Sequence, residues 1–551
     1  MMRQSLSQRQ QAIQQIVVTA EEMRQVEKRI FAAGMPVAAL MEKVAIAIVH
    51  RIADLYPDLT VQIGVLVGSG HNGGDGLVVA RELNFRGYSV SIYRSSTELK
   101  ELTGCHANYC QRLGIPFVDQ VGALQDCDLL IDAFFGVGLD RELSTDLAAI
   151  INQVNTWMKP VISIDVPSGL HTDTGQALGT AIQATHTLCL GLWKQGLLQD
   201  HALKFVGKAE LIDFDLPLAD VWAIVGELPK VQRITADSAI AHLPLHRSAT
   251  AHKYTMGHLL LICGSRRYAG AAILAGLGAR ASGVGMLSIA VPESIKPILT
   301  AQLPEALIIG CPETESGAIA HLPLDDLENY KAIACGPGLT SDAGAIVQRV
   351  LDSDRPLLLD ADGLNYLASI GTVPTLQRRS TVTVLTPHWG EFKRLFPDLV
   401  FPDLSENPTC RITPTQQAST QTGAIVLLKG ARTIISNTHT TWINPDSTSA
   451  LARGGSGDVF TGLLGGLLAQ HFAQTSMLQR LQRLQLSEIL QREDHPTPVP
   501  DNQPLTPVTC LVQAATWWHA QAGILAAQER TELGVDAYTL TQYLSKIWQK
   551  R

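Results

Sequence analysis

Short apolar segments alternate with longer amphipathic stretches along the first half of the chain. Two of these stretches, 35–55 and 76–86, have the spacing of helices. Four apolar segments predict buried β-strands, at 61–67, 89–93, 128–132 and 161–165. Strands that alternate with helices are typical of a parallel sheet covered by helices on both faces. The first half is therefore predicted to be an α/β sandwich.

The same rhythm starts again at His258 and continues to the end of the chain. A further helix is predicted at 508–528. Five more strands are predicted, at 258–263, 331–335, 356–360, 382–386 and 424–428. Between the halves, residues 214–250 contain several prolines and little periodicity, which places a boundary near Pro217–Pro229. A chain of 551 residues is also too long for one ordinary core. We therefore predict two α/β domains, 1–222 and 223–551.

One stretch, 474–503, breaks the α/β rhythm of the second domain. Its first part carries apolar residues at irregular helical spacing, and its second part is rich in proline and predicts extended chain. We interpret it as a surface insertion without a catalytic role, placed after a catalytic helix that ends near Gln470. A contact with a partner or a second subunit is the alternative.

Composition narrows the class of protein. A hydrophobic fraction of 46% with 17% charged residues fits a globular enzyme, and a net charge of −8 argues against nucleic acid as a partner. No apolar run is long enough to cross a bilayer, and residues 1–15 lack the apolar core of a signal peptide. The nine cysteines are scattered, and the close pair Cys105 and Cys110 is interpreted as buried thiols. These features predict a cytoplasmic protein that does not bind a membrane.

Three polar or glycine-rich clusters follow predicted strands of the first half. They are the segments 68–76 (GSGHNGGDG), 132–138 (DAFFGVG) and 165–169 (DVPSG). Open α/β sheets bind ligands outside the carboxyl ends of their strands, so the clusters are expected to share one pocket. Their spacing is neither that of a GxGxxG dinucleotide loop nor that of a GxxxxGK phosphate loop. Capping of a turn after the strand is the alternative for Asp132 and Asp165.

A different cluster, Gly455-Ser456-Gly457-Asp458, opens an apolar helix in the second half. Backbone N–H groups at a helix start attract anions, and glycine lets a phosphate come close. Asp458 can accept a proton from a hydroxyl while a phosphoryl group is transferred to it. This combination indicates a small-molecule kinase site. Asp360 and Asp362, after another strand, either position a metal or cap the following helix.

Several segments of the second half resemble the ribokinase-like NAD(P)H-hydrate dehydratase family over about residues 240–551. They include 252–253 (HK), 264–265 (GS), 269–272 (AGAA), 360–365 (DADGLN), 386–391 (TPHWGE) and 455–458. The resemblance implies that ADP or ATP, with Mg²⁺, phosphorylates the C6 hydroxyl of the S-hydrate of NADH or NADPH. Phosphate is then eliminated. The alternative is a vitamin-precursor or sugar kinase of the same superfamily.

The dehydratase resemblance also implies roles for particular residues. Asp458 is the expected catalytic base, and Gly457 is part of the anion hole. The expected contacts of the hydrated nucleotide are Ala272, Gly338, His388 and Asp458. The expected contacts of ADP or ATP are Lys429, Gly430, Ala431, Arg432, Thr433 and Gly457. A purely structural role is the alternative for His388.

The three clusters of the first half resemble the NAD(P)H-hydrate epimerase family over about residues 15–215, which implies a Rossmann-like three-layer sandwich. The implied reaction interconverts the R and S hydrates at C6, with Asp165 as acid/base. The implied potassium ligands are Asn72, Asp132 and Ser168, whose hard oxygens suit an alkali cation. The implied substrate contacts are His71, Asn72, Gly73, Gly74, Asp75, Gly136, Val137, Gly138, Leu139, Asp140, Arg141, Glu142 and Asp165.

Together the two resemblances predict a bifunctional enzyme that returns both hydrate epimers (NADHX and NADPHX) to usable NAD(P)H. A binding module without catalysis is the alternative for the first half, although retention of Asn72, Asp132, Asp165 and Ser168 argues against it. A homo-oligomer is expected. The sequence leaves the choice between ADP and ATP open.

Overall fold

The computed structural model describes residues 6–399, 411–490 and 505–549. The chain divides into two compact units, and the division along the sequence falls after Arg233. The predicted boundary at 222 therefore falls earlier than the division in the structure. A helix at Leu218–Val225 crosses the predicted boundary and contacts Ala20–Ala32 of the first unit, which is why this unit extends further.

The helices and strands of the first unit alternate along most of its length. The helices are α1 (Leu6–Gln15), α2 (Ala20–Ala32), α3 (Val37–Leu55), α4 (His71–Phe85), α5 (Glu101–Arg112), α6 (Thr145–Thr156), α7 (Leu203–Val206) and α8 (Leu218–Val225). The strands are β1 (Val17–Val18), β2 (Gln62–Val67), β3 (Ser89–Arg94), β4 (Phe117–Val118), β5 (Leu129–Ala133), β6 (Val161–Ile164), β7 (His186–Leu190), β8 (Trp193–Lys194), β9 (Lys208–Ile212) and β10 (Val231–Arg233).

Seven strands of the first unit form one parallel sheet in the order β4-β3-β2-β5-β6-β7-β9. Ile63, Val65 and Val67 of β2 pack into one core cluster, whereas Leu66 packs into another. Alternate residues of a strand point to opposite faces, so both faces are covered. The predicted α/β sandwich is confirmed, and the carboxyl ends of β2, β5 and β6 meet at one edge of the sheet.

The second unit has the same alternation with longer helices at its end. The helices are α9 (Ala236–Ile240), α10 (Ala269–Ser282), α11 (Lys296–Gln302), α12 (Gly344–Leu351), α13 (Ala361–Ile370), α14 (Thr372–Gln377), α15 (Trp389–Leu395), α16 (Ile412–Thr422), α17 (Ser456–Leu490), α18 (Leu505–Arg530) and α19 (Ala537–Gln549). The strands are β11 (His258–Ile262), β12 (Met286–Pro292), β13 (Leu307–Cys311), β14 (Ala332–Cys335), β15 (Leu357–Leu359), β16 (Thr383–Leu385), β17 (Ile425–Leu428), β18 (Ile434–Ser436) and β19 (Thr441–Ile443).

These nine strands lie in one sheet in the order β19-β18-β17-β16-β15-β14-β11-β12-β13. The strands from β17 to β13 in this order are parallel, and β18 and β19 extend the edge as an antiparallel pair. Leu259 and Leu261 belong to one core cluster, and Leu260 and Ile262 to another, so helices cover both faces here too. The predicted ribokinase-like α/β arrangement of a mainly parallel sheet is confirmed.

The structure corrects three details of the sequence analysis. Helix α4 begins at His71, so the second half of the glycine-rich segment is helical and not a loop. Helix α17 does not end near Gln470 but continues to Leu490, and residues 491–504 of the predicted insertion lie outside the described residues. Cys105 is exposed, whereas Cys110 is buried as expected. Within the described ranges, no helix is long and apolar enough to cross a membrane.

Candidate active sites

The first unit contains a cavity of about 560 Å³ at the carboxyl edge of its parallel sheet. Helix α2, the start of α4, the loop after β5 and the ends of β6 and β7 form its walls. The charged side chains in its lining include Glu27, Asp75, Asp165 and Lys194. The sequence predicted Asp75 and Asp165 here, whereas Glu27 and Lys194 were not anticipated.

Asp165 follows β6 and is held in place by donors from three directions. Its Oδ2 accepts the N–H of Val137 at 3.1 Å, and its Oδ1 accepts the N–H of Leu190 at 3.2 Å. The Lys194 ammonium lies 2.5 Å from Oδ1. The backbone of Asp165 has φ of 70°, a left-handed conformation that is uncommon for a residue with a side chain. This conformation turns the carboxylate into the cavity, where the donors stabilise its ionised form.

Lys194 is the main functional residue that the sequence analysis missed. Only 1% of its side chain is exposed, and its ammonium also donates to the carbonyl of Leu190. Burial lowers the pKa of Lys194, but the carboxylate of Asp165 more than offsets this, and the net direction is upward. The raised pKa favours the ammonium form of Lys194. The signal in the sequence is a single lysine within the apolar segment 188–198.

Asp132 and Ser168 meet as predicted, and they form a closed hydrogen-bond cluster. The Ser168 hydroxyl lies 2.5 Å from Asp132 Oδ1, and the Ser168 N–H donates to Oδ2 at 2.8 Å. The Ser163 hydroxyl and the Phe134 N–H also donate to this carboxylate. Burial raises the pKa of Asp132, and the donors work against that change. Asp132 is fully buried, so it is not the group that meets a substrate directly.

Asn72 lies near the carboxylate of Asp165 rather than in direct contact with Asp132. Asn72 Oδ1 and Asp165 Oδ2 each lie 3.0 Å from the position that a Cβ at Gly136 would occupy. The Asn72 amide nitrogen is buried and has no hydrogen-bond partner among the described residues. An amide left unpaired beside a carboxylate indicates a position that a ligand or ion completes.

The predicted substrate segments divide between the wall of the cavity and its support. His71, Asn72, Asp75 and residues 136–141 line the cavity, whereas Glu142 is exposed beside it. Gly73 and Gly74 are buried within α4. A Cβ at Gly73 would lie 2.0 Å from the carbonyl oxygen of Gly68, so glycine is required for the helix to start this close to β2.

In the second unit, Asp458 lies in the first turn of α17, as the sequence predicted. Burial raises its pKa from 3.8 to about 7, the charge of Asp360 adds to the increase, and the ammonium of Lys429 opposes it. A carboxyl group with a pKa near neutrality can both hold and release a proton at physiological pH. This suits Asp458 to general-base chemistry.

Asp360 does not cap helix α13, which follows it. Capping was one of the two interpretations that the sequence left open for this residue. Its side chain makes no capping hydrogen bond. Instead, the Lys429 ammonium donates to Oδ1 at 2.7 Å and the Thr461 hydroxyl donates to Oδ2 at 2.7 Å. Asp362 instead accepts the N–H of Thr340 at 2.9 Å. Asp360 thus joins the turn after β17 to the catalytic helix.

His519, on α18, supports the start of the catalytic helix and was not anticipated from the sequence. Its Nε2 lies 3.1 Å from the carbonyl oxygen of Ser456, and its ring packs edge-on against Phe460 with centroids 5.4 Å apart. Burial lowers the pKa of His519 to about 4, so the ring is neutral and donates to this carbonyl. No sequence motif marks this residue.

The other predicted residues of the second unit occupy different positions around the strand ends. The N–H of Lys429 donates to Pro387, and Gly430 and Ala431 are exposed in the turn between β17 and β18. Arg432 and Thr433 are half-buried in the same turn. Gly457 borders this turn, because a Cβ there would lie 3.4 Å from the Lys429 ammonium. The residues predicted to bind the nucleotide therefore lie around one charged group, the ammonium of Lys429.

His388 and Ala272 have local roles that the sequence did not reveal. His388 Nδ1 accepts the N–H groups of Gly390 and Glu391 and caps α15, which leaves Nε2 for other contacts. Just over half of its side chain is exposed, at 56%. Ala272 is fully buried, so the direct substrate contact predicted for it is not accessible in this structure. Gly338 has φ of +65° and packs closely on α10.

Comparison with known proteins gives two family matches and a set of full-length relatives. Residues 259–549 match the family described as NAD(P)H-hydrate dehydratase, and residues 37–196 match the family described as YjeF-related protein N-terminus. The chain is similar to bifunctional NAD(P)H-hydrate repair enzymes. It is 51% identical to that of Synechocystis sp. over 530 residues, covering 96% of this chain and 94% of the relative. The repair enzyme of Thermosynechococcus vestitus is 46% identical over 531 residues, and the match covers 96% of each chain.

A solved structure is also similar to the second unit. The ADP/ATP-dependent NAD(P)H-hydrate dehydratase of Bacillus subtilis, co-crystallised with ATP and Mg²⁺, is 29% identical. The match covers 57% of this chain and 97% of that one, with a TM-score of 0.43.

Proposed function

The chain belongs to the family of bifunctional NAD(P)H-hydrate repair enzymes, and we propose that its two units carry one reaction each. The first unit, predicted as domain 1–222, interconverts the R and S hydrates of NADH and NADPH. The second, predicted as domain 223–551, dehydrates the S form at the expense of ADP or ATP. The observation that carries the proposal is the presence of a separate, chemically equipped carboxylate in each unit, Asp165 and Asp458.

For the first unit, the support is the cavity and the carboxylate aimed into it. A cavity of about 560 Å³ is in the range of small-molecule sites. Residues 136–141 and the start of α4 line it, and both are glycine-rich segments that let a ligand approach the backbone. We assign Asp165 as the acid/base and Lys194 as the residue that keeps it ionised and oriented.

For the second unit, the support is the arrangement of charge around the start of α17. We assign Asp458 as the base that removes the proton of the C6 hydroxyl, because a pKa near 7 matches that task. The first N–H groups of α17, including that of Gly457, then receive the charge of the transferred phosphoryl group. The Lys429 ammonium and the turn 430–433 are assigned to the nucleotide.

Potassium suits the residue types of the first unit. Asn72, Asp132 and Ser168 offer oxygens with a single formal charge, which suits an alkali cation. We assign these three residues to K⁺. All four donors to Asp132 come from the protein itself, so a cation there would compete with the Ser168 hydroxyl. The bound ion would fix the loops after β5 and β6.

Magnesium is assigned to the second unit together with the nucleotide. Asp360 and Asp362 already accept protein donors, which leaves few carboxylate oxygens for a dedicated cage. Mg²⁺ usually binds phosphates and retains several waters, so nucleotide oxygens are its expected main ligands. It would neutralise charge on the transferred phosphoryl group.

Substrate contacts and assembly complete the proposal. We assign His71, Asn72, Gly73, Gly74, Asp75 and residues 136–142 to the hydrate in the first unit, and Gly338, His388 and the region of Ala272 to the hydrate in the second. His388 Nε2 is the ring nitrogen that does not cap α15, and it lies 3.5 Å from Oε1 of Glu391. We further propose a cytoplasmic homo-oligomer, with residues 474–503 dispensable for chemistry.

The proposal is tested by recovery of NADH absorbance from a mixture of R and S hydrates. The purified full chain is supplied with Mg²⁺ and either ADP or ATP, and the two epimers are separated by chromatography. We expect both epimers to disappear and NADH to form only with nucleotide. Recovery that stops after the S epimer is used would refute the epimerase assignment, and no recovery with either nucleotide would refute the dehydratase assignment.

A further inference from the structure

The cavity of the first unit is lined by carboxyl groups besides the one that Lys194 pairs with. Asp165 is paired with Lys194, whereas Glu27 and Asp75 line the same cavity. Across the described residues, neither Glu27 nor Asp75 makes a hydrogen bond or ion pair with a protein group. Carboxyl groups left unpaired and close to another carboxylate tend to keep a proton. A carboxyl group without a protein partner in this cavity is therefore available to supply a proton.

The reaction proposed for this unit needs such a proton, and the following inference rests on that epimerase function. Inversion at C6 replaces the hydroxyl on one face of the ring by a hydroxyl on the other. The hydroxyl must receive a proton in order to leave as water, and the entering water must lose one. The leaving and the entering hydroxyl lie on opposite faces of the ring, so a carboxyl group on each face is best placed for the two transfers. One group gives a proton and the other accepts one.

Asp165 is prepared for one of these transfers. Its carboxylate accepts the N–H groups of Val137 and Leu190 and the ammonium of Lys194. Asp165 is the acceptor in each of these contacts, so its geometry suits it to take a proton rather than to give one. The other transfer needs a neutral carboxyl group in the same cavity.

Asp75 is better prepared than Glu27 to be that neutral group. Burial raises the pKa of Asp75 well above its usual value, and the charges of Asp165 and Glu27 add to the effect. Burial also raises the pKa of Glu27, but the ammonium of Lys194 opposes that change. Asp75 also lies on α4, whose start is fixed by the close contact of Gly73 with Gly68. The raised pKa favours the protonated form of Asp75, and its backbone lies near the start of α4.

We propose that Asp75 is the proton donor of the epimerisation. The carboxyl group of Asp75 gives its proton to the C6 hydroxyl, the C6–O bond breaks, and its electron pair leaves with the oxygen as water. The lone pair of N1 forms a C6=N1 double bond. Water then adds to the opposite face, the electrons return to N1, and Asp165 takes the proton of the entering water. Proton exchange with solvent restores both carboxyl groups, so one water leaves and one enters.

The test compares Asp75→Asn, which keeps the size of the side chain and removes the acidic proton, with the wild-type full chain. Loss of a positioned acid typically lowers the rate by about 10²–10⁴-fold. We expect a loss of this size in kcat for R/S interconversion with KM changed by less than about threefold. An increase in KM with an unchanged kcat would assign Asp75 to binding alone and overturn the proposal.

Two further measurements separate acid catalysis from a structural role. In Asp75→Ala, added formate should restore part of the epimerisation rate, because a small carboxylic acid can occupy the vacated space and supply the proton. In water enriched in oxygen-18, the wild-type enzyme should incorporate one label at C6 for each inversion, above an enzyme-free control. Absence of rescue, or inversion without incorporation of the label, would contradict the proposed step.

The remaining controls distinguish the failure of this inference from that of the proposed function. Dehydration of pure S-hydrate by Asp75→Asn should match wild type, which shows that the chain is intact. If wild type does not interconvert the epimers at all, the epimerase assignment itself fails. If wild type is active and Glu27→Gln, rather than Asp75→Asn, shows the large loss in kcat, the donor is Glu27 and the proposal for Asp75 is wrong.

Discussion

Asp458→Asn is predicted to make the second unit more stable while it removes dehydratase activity. The wild-type carboxyl group is buried beside Asp360, which raises its pKa from 3.8 to about 7. A raised pKa means that the folded state binds a proton more tightly than the unfolded chain does. The folded state therefore loses stability as pH rises from the unfolded value towards 7. Asparagine has the same shape and carries no charge at any of these values.

The size of the effect follows from the two pKa values. Each pKa unit corresponds to about 1.4 kcal/mol, so ionised Asp458 destabilises the folded state by roughly 4 kcal/mol above pH 7. At about pH 5, Asp458 keeps its proton in the folded state, and it destabilises the folded state by only roughly 1.6 kcal/mol. The stabilisation by Asp458→Asn should therefore be about 2–3 kcal/mol larger at about pH 8 than at about pH 5.

The assay is urea unfolding with hydrogen exchange of the α17 amides as the local probe, at both pH values and without nucleotide. Asp354→Asn is the matched control, because it makes the same chemical change at an exposed position of the same unit. Surface changes of this kind usually stay within about 0.5 kcal/mol. If the gain from Asp458→Asn is the same at both pH values, or if the variant is less stable at the higher pH, the electrostatic account of this site is wrong.

Further outcomes follow from the same sites. The kcat/KM of dehydration, which reports ionisation of the substrate-free enzyme, should rise with pH around an apparent pKa of about 7, because Asp458 must be ionised to act as base. A flat pH profile would refute this assignment. Lys194→Met should lower R/S interconversion at least about 10²-fold and leave dehydration of S-hydrate unchanged, since Asp165 loses its 2.5 Å ion pair. Epimerisation should be faster in K⁺ than in tetramethylammonium at equal ionic strength, and equal rates in potassium-free buffer would remove the assignment of Asn72, Asp132 and Ser168.

The main strands of both units were predictable because buried parallel strands are short, continuous apolar segments. The predicted segment 89–93 corresponds to β3, and the predicted segment 424–428 corresponds to β17. Strands β7 and β12 were missed although both are mostly buried apolar segments. Strand β9 was missed because Lys208–Ile212 is an edge strand of mixed polarity. The start of α4 at His71 was also missed. Glycines are poor helix formers, and only the close contact between Gly73 and Gly68 explains their presence there.

The candidate sites were predictable where motifs carry the chemistry and not where packing does. Asp165 and Asp458 stand in recognisable segments after strands or before a helix. Lys194 and His519 do not, since each acts through a partner that is distant in sequence: Lys194 on Asp165 and His519 on Ser456. Asp360 had two open interpretations. Only its contacts with Lys429 and Thr461 reveal that it joins the turn after β17 to the first turns of α17.

The central claim is that two independent sites in one chain act in sequence on the hydrates. It is tested most directly by supplying pure R-hydrate of NADH, with nucleotide and Mg²⁺, to Asp165→Asn, to Asp458→Ala and to a mixture of the two variants. We predict that NADH forms slowly or not at all with either variant alone and at a rate near that of wild type with the mixture. Failure of the mixture, with both variants folded, or full recovery by Asp165→Asn alone above the spontaneous rate, would contradict the two-site account.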